Sequence, residues 1–339
     1  MVVSLKDIAA RAGVSLATVS NVVNGYRPVG EQTRRRVQRA IDELGYSPNL
    51  SARHLRRGRT GLIALAVPEL NNPYFAELAE VAIRQAAELG YTLLMENTAA
   101  DRATELALLR DAQRHPIDGL ILSPVRVGRA EVLARTADTP LVLIGEGVYD
   151  VPHDHIAIDN VAASRTAVAH LIALGRRRIA FIGASPGDDR HSAQLRLRGY
   201  REALSAAGLP AYPQLVAPTE RFGRRDGRRA MAGLLALDEP PDAVLGYNDL
   251  VAIGALRALT EAGRRAPDDV ALIGIDDIEE GRFSSPTLST VAPDKDEIGR
   301  LAVRRLVARI EGGEVPDPFT VQTPFVLVPR ESTGPAGGG

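Results

Sequence analysis

Two short helical segments meeting at a glycine constrain this chain more than any other feature. They read Leu5-Lys-Asp-Ile-Ala-Ala-Arg-Ala-Gly13 and then Val14-Ser-Leu-Ala-Thr-Val-Ser-Asn-Val-Val-Asn-Gly25. A turn at Gly13 between helices of this length is a helix-turn-helix pattern. Leu5, Ile8, Ala9, Ala12, Val14, Val19, Val22 and Val23 recur at near-helical spacing and can share one small core. An Arg-rich third helix supplies Val37, Ala40, Ile41 and Leu44 to close it. Residues 1–47 are therefore read as an all-helical head and residues 48–59 as a hinge that joins it to the rest.

Charge separates the same segment from the rest of the chain. The 339 residues are nearly neutral at −1, yet residues 1–60 hold eleven Lys and Arg against four Asp and Glu, a net +7. The remainder is net −8. A small basic module on an acidic body suits a polyanion at one end; a plain solvated basic face is the alternative. The absence of cysteine excludes disulfides and thiolate chemistry. No apolar run reaches the length of a membrane span, and no secretory apolar region opens the chain. The expectation is a soluble, cytoplasmic protein with no membrane partner.

From Arg59 onward short apolar runs alternate with helical stretches. Leu62–Val67, Tyr91–Met95, Gly119–Leu122 and Leu141–Ile144 read as one series of strands. Ile156–Ile158, Arg178–Ile182, Ala243–Leu245, Val270–Ile275 and Leu288–Val291 read as a second. Such runs fit parallel strands covered on both faces by helices. Between them Pro73–Gly90 places Phe75, Leu78, Ala82, Ala86 and Leu89 on one helical face. Nine or more strands favour two α/β lobes over one sheet. The body is read as residues 60–331, with one lobe at about 60–160 and 292–321 and the other at about 161–291 and 322–331. The tail 332–339 is too Gly-rich to order itself and is left out of the fold. It carries no leucine heptad, so a tetramerising coiled coil is not expected.

With these residues assembled, the chain resembles the LacI/GalR (lactose/galactose repressor) family of bacterial transcription regulators. The resemblance rests first on Asp7-Ile-Ala-Ala-Arg-Ala-Gly-Val-Ser-Leu-Ala-Thr-Val-Ser-Asn-Val-Val-Asn24, Thr33-Arg34 and Gly45-Tyr46-Ser-Pro-Asn49. Asn71-Asn-Pro-Tyr-Phe75, Asn248-Asp249 and Gly274-Ile-Asp-Asp277 extend it, so that it covers about Ser4 to Arg330. It implies an α/β chain with a helical DNA-binding head and a two-lobed, type I periplasmic-binding-protein-like body of parallel sheets. It also implies a homodimer on near-palindromic double-stranded operator DNA, controlled by a small polar metabolite, most often a sugar, with no cofactor, no metal and no enzymatic activity.

Thr18 and Ser20 carry short hydroxyls suited to phosphate contacts that fix register. The resemblance places Leu16, Ala17 and Asn21 at base-reading positions, where Leu16 and Ala17 offer apolar contacts and Asn21 can pair with adenine. Helix packing is the alternative for Leu16. Ser4, Leu5, Asn24, Thr33, Tyr46, Asn49 and Ala52 complete the DNA-contacting set that the resemblance implies. Many relatives carry Arg at the position of Asn21, and a Ser-type cap is common where this chain has Gly30. The hinge is too short to be helical alone, since isolated helices below about 12–15 residues are marginal. By resemblance its Leu55, flanked by Arg53, Arg56 and Arg57, is a wedge for the minor groove; a flexible basic linker is the alternative.

A cleft between two α/β lobes lies at strand carboxyl ends, where such sheets bind small molecules. Asn72, Tyr74 and Phe75 follow the first strand, and Asp159, Asn248 and Asp276 follow later ones. The resemblance adds Arg196 and Phe222. Arg196 and Asp276 would grip hydroxyls and Phe222 would stack on an apolar ring face; loop caps and core packing are the alternatives. Three other patterns are set aside. Gly183-Ala-Ser-Pro-Gly187 matches a hydrolase elbow, but Pro186 lacks the N–H that an oxyanion hole needs. His153 and His155 have no evident third metal ligand. No Gly-x-Gly-x-x-Gly turn follows a strand. The rival from another class is a sugar receptor or transport-type binding protein without a DNA role.

Overall fold

The computed structural model describes residues 3–24, 28–45, 58–110, 117–146, 150–184, 191–312 and 320–334. Two units separate by their contacts, residues 1–61 and 62–339.

The first unit contains α1 (Leu5–Ala12), α2 (Leu16–Asn24) and α3 (Glu31–Leu44). Ser4 and Asp7 form a capping box that satisfies the first N–H groups of α1. Gly13 ends α1 at φ +62°, a left-handed conformation that the short turn requires. Ile8, Ala12, Val19, Val37 and Ala40 are buried together, with Leu5, Ala9, Val14, Val22, Val23, Ile41 and Leu44 packed around them. This is the core expected from the helical spacing. Gly30 caps α3 without a side-chain hydrogen bond.

The second unit holds two six-stranded sheets. One has the order β11-β5-β4-β3-β1-β2 and is parallel throughout. Its strands are β1 (Leu62–Val67), β2 (Thr92–Asn97), β3 (Gly119–Leu122), β4 (Leu141–Ile144), β5 (Asp154–Ala157) and β11 (Thr320–Gln322). The other has the order β12-β10-β9-β8-β6-β7. It is built from β6 (Ile179–Ala184), β7 (Val216–Pro218), β8 (Ala243–Gly246), β9 (Ala271–Ile275), β10 (Ser289–Pro293) and β12 (Phe325–Val328). The long helices that cover them are α4 (Pro73–Glu88), α7 (Asn160–Ala173), α8 (His191–Ala206), α9 (Arg224–Leu235), α10 (Asp249–Glu261) and α12 (Lys295–Glu311). The shorter α5 (Arg102–Arg110), α6 (Arg129–Leu133) and α11 (Glu279–Phe283) complete the set. The chain passes between lobes after Ala157, after Pro293 and after Gln322. The passages lie side by side: Thr323 N–H donates to Ala157 O at 2.8 Å and Asp294 N–H to Pro324 O at 3.1 Å.

The strands read from the apolar runs pair in parallel in both sheets, and β12, which those runs did not include, adds one antiparallel edge pair with β10. Two expectations need correction. The tail does not begin at Ser332: Ser332 and Thr333 are buried. Ser332 Oγ donates to Leu272 O at 2.7 Å and accepts from Ser289 N at 2.8 Å, while Thr333 Oγ1 bonds Ser289 Oγ at 2.8 Å. The return of the chain along β10 provides these partners, which a composition-based reading of a Gly-rich end does not see. Leu89 is exposed, and Gln85 takes the inner place on α4, held by Arg304 at 3.2 Å.

Close helix packing depends on a few glycines. A Cβ on Gly199 of α8 would lie 2.2 Å from Val161 O of α7, whereas one on Gly233 of α9 would meet open space. Gly199→Ala is expected to lower stability by about 1–3 kcal/mol through overpacking. Gly233→Ala should raise it by about 0.5–1 kcal/mol through helix propensity. Urea midpoints measured on both variants check the contrast.

Candidate functional site

The carboxyl ends of both sheets line one cleft of about 960 Å³. That volume lies at the upper end of small-molecule pockets, about 300–1,000 Å³. Asn72, Tyr74, Phe75, Asn97, Ser123, Arg126 and Glu146 line it from the first lobe. Ser192, Arg196, Arg221, Phe222, Arg225, Tyr247, Asn248 and Asp276 line it from the second.

Arg196 organises the floor. It is 6 % exposed, and its guanidinium donates to Asn160 Oδ1 and to the Tyr247 carbonyl oxygen. It also lies over the Tyr247 ring, 4.5 Å from the centroid. Its remaining nitrogen faces the Asp276 carboxylate at 3.8 Å. The close fit of Gly199 against α7 brings Arg196 beside Asn160, the first residue of that helix. Phe222 stacks on Tyr247 at 3.8 Å and 22°, and Ser192 Oγ bonds the Tyr247 hydroxyl at 2.8 Å. Gly183 makes room for this wall, since a Cβ there would lie 2.2 Å from Tyr247 Cβ. That gives Gly183 a structural role; the rest of its motif, Ser185 to Gly187, lies outside the described residues.

Burial sets the protonation of the site. It pushes the Asp276 carboxyl up to about 6, even though Arg196 and Lys295 pull it down. It raises Glu146 as well, against the pull of Arg196 and a hydrogen bond from Asn160. Arg196 itself is held above its usual value: desolvation opposes its charge, but Tyr247, Asp276 and Glu146 outweigh that cost. The floor therefore offers a fixed cation next to carboxyls that can accept or donate hydrogen bonds, which suits vicinal hydroxyls. Tyr74 and Phe75 meet edge to face at 5.1 Å on the opposite wall.

The expected residues do not all share one role. Tyr74, Phe75, Arg196, Phe222 and Asp276 line the cleft. Asn72 and Asn248 line it too, while capping α4 and α10 through Tyr74 N–H at 3.1 Å and Val251 N–H at 2.9 Å. Asp159 does not line the cleft; it caps α7 by accepting from Ala162 N–H at 2.9 Å. A strand-end position fits a helix cap equally well, and here the cap wins. Tyr247, Glu146 and Ser192 belong to the floor or wall without having been singled out. The strand-end rule could have found Tyr247 after β8 and Glu146 after β4. His155 bonds the Gly145 carbonyl oxygen at the end of β4, and no cluster of metal-ligating residues occurs among those described.

On the head, α2 turns Leu16 (44 % exposed) and Ala17 to solvent, which removes the packing alternative for Leu16. Thr18 N–H donates to Ser15 Oγ at 3.1 Å, and the two hydroxyls bond at 2.8 Å. Ser20 and Asn21 are half-buried, and Asn21 shares a shallow concavity with Thr18, Thr33 and Arg36. Ser4 is engaged in the capping box and Leu5 in the small core. Asn24 ends α2, with its side chain outside the described residues, as are Tyr46, Asn49, Ala52 and Leu55. No helix among the described residues is long and apolar enough to cross a membrane.

Comparison with known proteins agrees with both units. Residues 4–49 match the model of bacterial regulatory proteins of the lacI family, and residues 168–333 that of a periplasmic binding protein-like domain. The ribose operon repressor of Escherichia coli (strain K12) is 36 % identical over 309 residues, covering 91 % of this chain and 93 % of that protein. A structure of the transcriptional regulator CelR–cellobiose complex is 34 % identical with a TM-score of 0.70, covering 97 % of this chain and 99 % of that one. The Lac repressor dimer bound to operator and the anti-inducer ONPF is 28 % identical with a TM-score of 0.77, covering 98 % and 100 %.

Asp249, the fully buried residue that follows Asn248, generates a pH prediction. Burial first and Asp276 second raise its carboxyl to about 7, although Thr290 Oγ1 (2.7 Å) and Ile278 N–H (3.0 Å) donate to it. The folded chain thus keeps a proton that the unfolded chain loses near pH 4. This contribution to stability is fully present below about pH 4 and is lost as pH rises through about 7. Asp249→Asn should flatten that fall, as read from melting temperatures between pH 4 and 8.

Proposed function

We propose, from the premise that this chain belongs to the LacI family of bacterial regulatory proteins, that it is a cytoplasmic, sugar-responsive repressor of transcription. It binds a near-palindromic operator as a homodimer through its helical head. The single observation that carries the sensing half is the buried Arg196–Asp276 pair beside the stacked Phe222–Tyr247 wall. Charged hydrogen-bonding groups next to an aromatic face suit a polyol ring with one polar edge and one apolar face. In the same reading Asn72 and Asn248 use their free amide –NH2 groups toward the ligand. Asp159 has no place in this site.

On the head, Leu16 and Ala17 meet apolar base edges such as a thymine methyl, Asn21 reads adenine, and Thr18, Ser20 and Thr33 hold phosphates. Ser4 acts through its capped helix N-terminus, and Leu5 supports that helix from within. Tyr46, Asn49, Ala52 and Leu55 extend the contact along the hinge, with Leu55 as the minor-groove wedge. Two-fold symmetry doubles the few base contacts one head can make and fixes the half-site spacing. A binding protein without a DNA role would have no use for an exposed Leu16–Ala17 face on a basic three-helix module.

Two experiments test this. Selection of genomic fragments at physiological salt should return a symmetric motif, and Asn21→Ala should relax discrimination at one base pair per half-site by about 1–3 kcal/mol. Recovery of only salt-sensitive, sequence-blind fragments would contradict the DNA reading. For the cleft, a panel of pentoses, hexoses and disaccharides is titrated calorimetrically. Arg196→Ala should lower the affinity of the tightest-binding sugar by about 1.5–3 kcal/mol, tenfold or more. Affinity should also weaken as pH falls through about 6, where Asp276 gains its proton and loses its charge as an acceptor. Binding by Arg196→Ala equal to that of the unmodified chain would refute the site.

A further inference from the structure

The cleft is bordered by a cation that faces backbone rather than open space. Lys295, the first residue of α12, has a side chain only 13 % exposed. Its ammonium donates to the carbonyl oxygens of Asp276 at 2.8 Å and Asp277 at 2.9 Å, and it pairs with Glu77 of α4. The other carboxylate oxygen of Glu77 accepts from Glu279 N–H at 3.3 Å. Lys295 and Glu77 stand on first-lobe helices, whereas Asp276 to Glu279 follow β9 of the second lobe. Two side chains of one lobe therefore hold a four-residue corner of the other.

That corner needs holding. Asp276 has φ +121° and Asp277 φ +50°, two successive side-chain-bearing residues in conformations that glycine favours. Such backbone persists only where its surroundings over-determine it. One ammonium bonded to both carbonyl oxygens fixes the two peptide planes, and so fixes where the Asp276 carboxylate points. Lys295 Nζ also lies 6.0 Å from the centre of the Tyr74 ring, one helical turn before Glu77. The helices that carry these groups are packed closely: a Cβ on Gly299 of α12 would lie 2.9 Å from Val81 Cγ1 of α4.

We propose that Lys295 and Glu77 are positioning residues of the effector site. They aim the Asp276 carboxylate at Arg196 and tie its setting to the placement of one lobe against the other. A ligand that grips Asp276 and Tyr74 then feels the lobe arrangement through Lys295. The proposal rests on the reading of this cleft as the effector site.

The chain has no cysteine, so paired spin labels at Ala87→Cys on α4 and Ala232→Cys on α9 report the distance between lobes. Labelled subunits are diluted with unlabelled ones, and distances are recorded with and without the tightest-binding sugar of the panel. Lys295→Met should broaden the ligand-free distance distribution and weaken sugar binding about tenfold, while Lys295→Arg stays within about threefold. Glu77→Gln keeps both lysine–carbonyl bonds and should move both readouts in the same direction by a smaller amount, which covers the case of a poorly folding Lys295→Met. Lost affinity with an unchanged distribution would make Lys295 a direct ligand contact and overturn the proposal. A broadened distribution with unchanged affinity, or no change in either, would overturn it as well. If Arg196→Ala binds sugar as the unmodified chain does, the effector reading itself has failed and the positioning role falls with it, whatever Lys295→Met does.

Discussion

The body of this protein depends on keeping one guanidinium charged almost out of reach of water. Burying an ion costs of order several kcal/mol unless its partners are excellent. Arg196 meets that cost with an amide oxygen, a backbone carbonyl oxygen and an aromatic face from one tyrosine, and a carboxylate, drawn from three separate parts of the second lobe. Asn160 comes from the start of α7, Tyr247 from the end of β8 and Asp276 from the end of β9. The doubly wound topology delivers all of them to the same edge of the sheet, because strand carboxyl ends converge there. Gly183 and Gly199 are the matching concessions in backbone, leaving room for Tyr247 and for the approach of α8 to α7.

The head obeys a different constraint. Its core is a handful of small and β-branched side chains, enough to fix three short helices and too little to hide much else. The face of α2 that carries Leu16 and Ala17 is left to solvent, and the arginines of α3 give the module its positive sign. An exposed leucine beside hydroxyls and guanidiniums is poorly placed for packing and well placed for the edge of a nucleic acid groove. Sensing and DNA reading thus sit on units that each have their own core. A ligand can influence the second function only by changing which arrangement of the chain is populated.

Much of this was legible in the residues. Helical spacing identified all five buried residues of the head core, though not Val3 packed at its edge, and apolar runs located most of the strands. The short edge strands β7, β11 and β12 escaped because three or four half-exposed residues carry no periodic signal. The antiparallel return of β12 along β10 is a tertiary fact with no local signature, and it is also what orders Ser332 and Thr333. In the cleft, the strand-end rule found Asn72, Asn248 and Asp276. It does not separate a ligand contact from a helix cap, the role that Asp159 fills at the start of α7. Tyr247 and Glu146 obey the same rule and were overlooked. The partnership of Lys295 with Asp276 and Asp277 could not be foreseen, since it joins residues about nineteen apart through backbone atoms and a bent corner.

The proposed function couples polyol binding in the cleft to operator binding by the head in one chain. Linkage makes that coupling quantitative: the factor by which the sugar changes operator affinity must equal the factor by which operator changes sugar affinity. The decisive measurement closes this cycle. Sugar affinity is measured by calorimetry on the free protein and on the protein saturated with its selected operator, and operator affinity by anisotropy with and without the sugar. The two ratios are expected to be equal, each about fivefold or more, in the range typical of allosteric proteins. Sugar affinity that is identical on and off the operator, with the operator titration unmoved by saturating sugar, would contradict the coupling.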